Sequence, residues 1–204
     1  MKIAKGENIR PIADKAFASN PLGMSWDKNA LLSNEELIAL AKKPIVEKTW
    51  EDYGLQDIKL TPEEKRNSNP GVLERAPSRE EALEILKREL KLDENGLRYV
   101  ETPIQKVLIN SEQLKHMVEK ESDAREMYSK FVVPTLENPT EIWLTKFTDG
   151  YRPQYVAVFK ESNGNGLIVS VRLNKDGSLF WNYMQNREKK LNNKRTGTLL
   201  YKKT

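Results

Sequence analysis

His116 is the only imidazole in the 204-residue chain and the only side chain whose unperturbed pKa brings a proton on and off near neutrality. Lys120 follows four positions later, one turn away if the stretch is helical. An ammonium beside an imidazole disfavours the imidazolium, which suits a group that must take up a proton near neutral pH. The chemistry open to this pair is general acid–base catalysis. An ordinary surface histidine fits the same spacing. Other chemistries are closed off. The chain has no cysteine, so disulfides, thiol nucleophiles and zinc–thiolate sites are absent. One histidine cannot make a two-histidine metal site. No EF-hand spacing and no phosphate-cradling glycine loop occurs, so no cofactor is expected and no metal site is assigned.

The stretch that must position His116 runs from Asn110 to Pro139 and reads as one helix or two short ones. Asn110 is placed to cap it, with Gln113 reaching back as in a capping box. Leu114, Met117 and Val118, then Ala124, Tyr128, Phe131, Val132 and Val133, give an apolar face of helical period. His116 and Lys120 fall on the other side.

Around that stretch the texture is β. Ile104–Ile109, Thr140–Phe147, Gln154–Lys160, Leu167–Leu173, Leu179–Met184 and Thr198–Lys202 are short runs rich in β-branched and aromatic residues. Asp149-Gly150, Asn163-Gly164-Asn165-Gly166 and Asp176-Gly177 separate them as hairpin turns. Consecutive hairpins imply an antiparallel sheet, and its apolar face would pack on the preceding helix, an α+β arrangement. Alternation puts Glu141 with Trp143, Thr145 and Phe147, Lys160 with Val156 and Val158, and Arg172 with Ser170.

The first hundred residues differ. Residues 1–30 read as irregular, broken by Pro11, Pro21 and Gly23, with Trp26 expected as an anchor packed on this chain or a partner. Ser33-Asn34-Glu35-Glu36 starts a helix that Pro44 stops, and Thr61-Pro62-Glu63-Glu64 opens a short turn. Ser78-Arg79-Glu80-Glu81 caps an amphipathic helix with Ala82, Leu83, Ile85, Leu86 and Leu90 on its apolar face, ended by Asn95-Gly96. Two modest helices joined by long connections are an unusual autonomous domain. The expectation is a docking segment over 1–100, draped on a domain over 101–204 or on something larger.

Charge divides the same way. Residues 1–102 hold 17 basic and 19 acidic side chains, net −2, whereas residues 103–204 hold 17 and 11, net +6. Seven Lys and Arg stand between Arg187 and Lys203 against one acid, Glu188. A basic second half points to a polyanionic partner, with a merely solvated basic surface as the alternative. No apolar run of transmembrane length and no signal-peptide core is present, so no membrane partner is expected.

The words LKHMVEK, DAREMYSKFVVPTLENPTEIW, DGYRPQYVAVFK and NKRTGTLLYKK resemble the phage-type Barnase–EndoU–colicin–RelE nuclease group, found as C-terminal domains of phage minor head proteins and bacterial polymorphic toxins. They span about residues 100–204. WEDYGLQDI and RAPSREEALEILKREL are similar to the segment preceding that domain in head proteins. The resemblance implies a helix-then-twisted-sheet RNase fold and metal-independent endoribonuclease activity, with the RNA 2′-hydroxyl as nucleophile.

That chemistry needs a base, an acid and cations for the phosphate. His116 is the best base or acid. Arg152, Lys160 and Arg195 are candidates for the phosphate, Arg through its bidentate fork. Thr198 and Tyr201 could donate to phosphate or stack a base. Glu141 could orient His116 or transfer a proton, with pairing to Arg125 as its duller role, and Lys120 could tune His116. Lys194 belongs with the basic tail as a substrate contact. Expected partners are RNA, with tRNA one candidate, an immunity or antitoxin protein, and phage head or secretion-system proteins. The expected location is the bacterial cytoplasm, or a virion or effector delivered into a target cell. The competing readings are a head-associated structural module that binds nucleic acid without cutting it, and a different toxin chemistry such as ADP-ribosyl transfer, for which no cofactor motif is found.

Overall fold

The computed structural model describes residues 33–42, 47–174 and 177–204. The run over 1–30 with its anchor Trp26, the stop at Pro44 and Asp176 of the third turn lie outside the described residues. The chain is α+β. Its helices are α1 (Asn34–Lys42), α2 (Arg79–Glu89), α3 (Ser111–Met117), α4 (Val132–Glu137) and α5 (Glu188–Leu191). Its strands are β1 (Lys48–Thr49), β2 (Leu97–Glu101), β3 (Lys106–Asn110), β4 (Glu141–Phe147), β5 (Gly150–Val158), β6 (Asn165–Asn174), β7 (Gly177–Arg187) and β8 (Thr196–Lys202). They form one sheet in the order β1-β8-β4-β5-β6-β7-β3-β2.

The hairpin words deliver β4 to β7 as an antiparallel meander. One pair departs from expectation: β3 runs parallel to β7, through Val107–Ser178 and Leu108–Leu179. The chain from β3 crosses the α3–α4 region and three strands before it returns, so no hairpin constrains that edge. β2 was not expected either. Its sequence LRYVE is short and half polar, with Arg98 and Glu101 among its five residues, and pairing with β3 makes it a strand. The preceding helix α2 stops at Leu90, not at Asn95-Gly96. Gly96, at φ 73°, instead makes the turn into β2, where a Cβ would stand 2.6 Å from Ser111 Oγ.

Helix starts follow the capping residues. Ser33 Oγ accepts from Glu36 N at 3.1 Å while Glu36 Oε2 accepts from Ser33 N at 2.9 Å, a complete capping box. Ser78 Oγ accepts from Glu81 N at 3.2 Å, and Asn110 Oδ1 from Gln113 N at 2.8 Å. The stretch after Asn110 is more broken than its apolar period suggests. Short α3 gives way to a 3₁₀ segment over Arg125–Phe131 and then to α4. Ala124, in the left-handed region at φ 42°, sits at that break.

Both faces of the sheet are covered, unequally. One carries Ile142, Leu144, Tyr155, Ala157, Val169 and Phe180 against Leu37, Leu86, Leu114 and Leu136 from the helices. The other carries Trp143, Val156, Val158, Ile168 and Leu199, covered by Leu55, Ile58 and Leu191. Among the described residues before position 100, Leu37, Leu55, Ile58 and Leu86 thus pack on the sheet. Asn67 pins one connection: its amide donates to Pro134 O and Asn138 O at 3.2 and 2.9 Å. Arg66 meets buried Glu188 at 2.6 Å. A boundary at residue 100 falls inside β2, the strand that pairs with β3.

Candidate active site and nucleic-acid face

His116 projects from α3 into solvent, its side chain 67% exposed. Its Nδ1 lies 2.8 Å from Glu119 Oε1. A carboxylate only accepts, so Nδ1 carries the hydrogen and Nε2 faces outward as the acceptor of the neutral ring. Arg79 lies 3.9 Å from the same Glu119 oxygen. Lys120 is not the neighbour that the four-residue spacing implied. Helix α3 ends at Met117 with Val118 as its cap, so Lys120 leaves the helical path and reaches Asp123 at 3.5 Å. Glu119 was legible only as a His-x-x-Glu spacing. Gln113 does not close a capping box either. Its side chain turns to the sheet and donates to Trp181 O at 2.9 Å.

Trp181 is where the sheet opens. Ser170 pairs with Asn182 and Val171 with Phe180, so Trp181 is the extra residue of a β-bulge in β7. A bulge re-aims the side chain it inserts. Phe180 and Tyr183 on either side belong to the helix-covered core, whereas the Trp181 ring meets two guanidinium groups. Arg172 lies 4.6 Å from its centroid and Arg152 5.4 Å, and Arg152 is also 4.9 Å from the Phe147 ring. Arg152 sits in β5 opposite Thr145, with Asp149 of the hairpin as its ion partner. The hydrogen bond from Arg152 holds the Asp149 carboxyl below the usual carboxylate range. On the next rung Gln154 donates to Ser170 Oγ at 2.6 Å. From the helix side Arg125 donates to Asn182 Oδ1 at 2.5 Å and to Asp123 at 2.8 Å. Thus α3 and the 3₁₀ segment both grip β7 at the bulge, and His116 stands one turn beyond Gln113.

Guanidinium planes against aromatic rings leave N–H edges for phosphate oxygens and ring faces for bases. Phe147, Arg152, Arg172 and Trp181 form one cationic and aromatic cluster, the candidate docking face for a nucleic acid. Only Arg152 among these four was singled out as a site residue from sequence; the bulge that aims Trp181 has no sequence mark of its own.

Glu141 and Arg195 come together elsewhere. Arg195 Nε and Nη2 each donate to Glu141 at 2.7 Å, a bidentate pair with side chains 1% and 3% exposed. Arg195 Nη1 donates to Gln56 O and Asn192 Oδ1, and its plane lies 5.0 Å from the Trp50 ring. Trp143 Nε1 donates to Glu141 Oε2 at 2.8 Å. Glu141 therefore neither orients His116 nor pairs with Arg125, and the Arg195 fork is filled by protein, not presented to a phosphate. The pair ties β4, the end of the chain and the 50–58 connection into one unit. Strand β8 is four places from β7, about 19 Å at the usual inter-strand spacing. His116 belongs to the helix-covered side of the sheet, and Arg195 to the other, the side that Arg152 and Arg172 share with Trp143 and Val156.

Thr198 pairs with Leu144 and Tyr201 with Ile142, so both point to the helix-covered face, away from Arg152. Burial raises the Tyr201 phenol. Lys160 is half-buried, its backbone N–H on Asn67 O at 2.9 Å, and Lys194 is exposed in the 3₁₀ turn before Arg195. Among the described residues no three acidic or histidine side chains gather at metal-binding distance, and no helix is long and apolar enough to cross a membrane.

Comparison with known families gives one match: the model of the phage-Barnase-EndoU-ColicinE5/D-RelE like nuclease 2 family covers residues 86–202. Those bounds take in the last four residues of α2, the whole meander and β8. No curated protein matches, and no solved structure does.

Proposed function

For a chain that belongs to this phage-associated nuclease family, we propose an endoribonuclease that lays its RNA across the open end of the β4–β7 meander. The observation carrying this reading is the stacking of Arg152 and Arg172 on one indole, Trp181, at a bulge that α3 clamps through Gln113. Arg152 and Arg172 neutralise backbone phosphates, and Trp181 and Phe147 stack bases. The RNA strand passes from the Arg152–Arg172 face round the edge of the sheet to the helix side, where His116, oriented by Glu119, accepts the proton of a 2′-hydroxyl at Nε2. The 2′-oxygen then attacks phosphorus, the bond to the 5′-oxygen breaks, and that oxygen takes a proton from water at the open face. The products are a 2′,3′-cyclic phosphate and a 5′-hydroxyl. Lys120, beside the α3 end, contributes positive charge to the approach of the strand, and Lys160 and Lys194 extend the basic surface.

Incubation of the purified chain with total RNA in EDTA tests this. Cleavage leaving cyclic phosphate ends, abolished by His116→Ala, is the expected result. Salt-dependent RNA binding with no cleavage would instead establish a head-associated binding module, the reading that the exposure of His116 favours. Growth arrest on expression, relieved by a co-expressed immunity protein that covers the Arg152–Arg172 face, belongs to a toxin role; tolerated expression argues against it.

A further inference from the structure

A second cationic cleft opens at the other end of β4, with a volume of about 270 Å³. It is walled by the 54–62 connection, and Lys65, Lys202 and Lys203 line it together with Glu141 and Arg195. Its charges do not balance. Glu141 already accepts two N–H groups from Arg195 and one from Trp143. Asp57 accepts from Asn192 and lies 3.4 Å from Lys59. Among the described residues no carboxylate is within ion-pair distance of Lys65, Lys202 or Lys203. Lys203 finds only a neutral acceptor, Asn67 Oδ1, at 3.2 Å. Burial lowers the Lys202 ammonium, with Lys65 and Arg195 adding to the effect and Glu141 opposing it; burial lowers Lys203 as well. Half-buried ammonium groups without counter-ions are costly, and an anion between them removes that cost.

We propose that this cleft is an anion site for a phosphate group, held by Lys65, Lys202 and Lys203 and separate from the Arg152–Trp181 face. Six residue steps along β4 separate Glu141 from Phe147, about 20 Å. The 54–62 connection roofs the space between, so a ligand here does not occupy the nuclease face. Arg195 and Glu141 form the floor of the cleft and do not turn toward its contents. Two sources share this chemistry: a free phosphate compound, and a phosphodiester of the bound strand.

The test measures the melting temperature of the full chain against inorganic phosphate, and separately against a 2′-deoxy oligonucleotide, at constant ionic strength set with sodium chloride. A saturable rise with either ligand is expected, with an apparent affinity about tenfold weaker or worse in Lys202→Gln and in Lys65→Gln, as for loss of one charge-assisted contact. Arg152→Gln should leave the phosphate response unchanged, which separates this site from the nuclease face. Saturation by inorganic phosphate assigns a free ligand; saturation by the oligonucleotide alone, sensitive to Lys65 and Lys202, assigns the strand. Lys65 carries the test if Lys202→Gln lowers folding yield. An unchanged midpoint in both lysine variants, or a chloride effect of equal size, would overturn the proposal.

Discussion

The side-chain amide of Gln113 in α3 donates to the backbone carbonyl of Trp181 in β7 at 2.9 Å, and so fastens the helix that bears His116 to the bulge that aims the indole. A half-buried hydrogen bond of this kind contributes about 0.5–1.5 kcal/mol. Gln113→Ala should therefore cost about 1 kcal/mol in urea unfolding. It should also lower RNA cleavage more than its stability loss explains, because the distance between the imidazole and the docking face is no longer fixed. Gln113→Glu, which cannot donate when ionised, should behave like the alanine variant.

Glu119 acts on the reaction only through His116, so its removal should be invisible once His116 is gone. His116→Ala is expected to lower cleavage by about 10²–10⁴-fold, the usual worth of a positioned acid–base group. Glu119→Ala should cost less, and the double variant should be no slower than His116→Ala alone. Single-turnover rates on a defined oligoribonucleotide check this. Multiplying losses in the double variant would show that Glu119 has a separate role.

Trp181 and the two arginines should separate in a salt titration. Arg152→Gln and Arg172→Gln each remove one phosphate contact, and each should flatten the slope of log affinity against log salt by about 0.7–0.9. Trp181→Ala should weaken binding by about 1–3 kcal/mol and leave the contacts that set the slope in place, provided the arginines stay near their strands. Binding of a non-cleavable 2′-deoxy strand at several salt concentrations provides the measurement.

Arg195 and Glu141 should declare themselves through stability. Each is buried, and removing one partner strands the other charge, at about 3–5 kcal/mol. Arg195→Met and Glu141→Leu should each lower the urea midpoint strongly. The double variant should recover part of the loss, since no charge is left unpaired. A single variant with wild-type stability would mean that the pair does not hold β4 to the 50–58 connection.

Much of this fold was readable in the chain because its strands announce themselves. Asp149-Gly150 and Asn163-Gly164 are hairpin turns, and between them the β-branched runs fix which residues share a face. Glu141 could be placed with Trp143 in this way, and its indole is indeed a partner. The remaining partners could not, because Arg195 is 54 residues away and meets Glu141 only when β8 closes on β4. Trp181 was hidden for a related reason. Its exposure depends on one unpaired residue opposite Ser170, which pairing creates and alternation cannot foretell. Lys120 misled because a period of 3.6 was extended past Val118, where the helix has already stopped.

Two buried phenols give the fold a defined alkaline limit. Tyr155 accepts from Gln105 Nε2 at 3.1 Å, and the Thr102 hydroxyl gives its own hydrogen to Gln105 O at 2.6 Å, so Tyr155 must donate to Thr102 Oγ1 across 3.0 Å. Tyr183 donates to Arg125 O at 2.5 Å. Burial pushes both phenols far above 10, the value they regain on unfolding. The folded state keeps protons that the unfolded chain gives up above pH 10. Their contribution is therefore complete below pH 10 and is lost as pH rises beyond it, by about 1.4 kcal/mol per pH unit for each phenol. Lys202 and Lys203, whose ammonium groups are lowered by burial, act in the opposite direction just below 10.5. Urea midpoints between pH 8 and 11.5 should hold or rise slightly, then fall steeply. Tyrosinate absorbance from the two buried rings should appear only with unfolding. Tyr183→Phe should lose the Arg125 contact at neutral pH and shed one phenol's share of the alkaline slope; an unchanged slope in that variant would place the titrating group elsewhere.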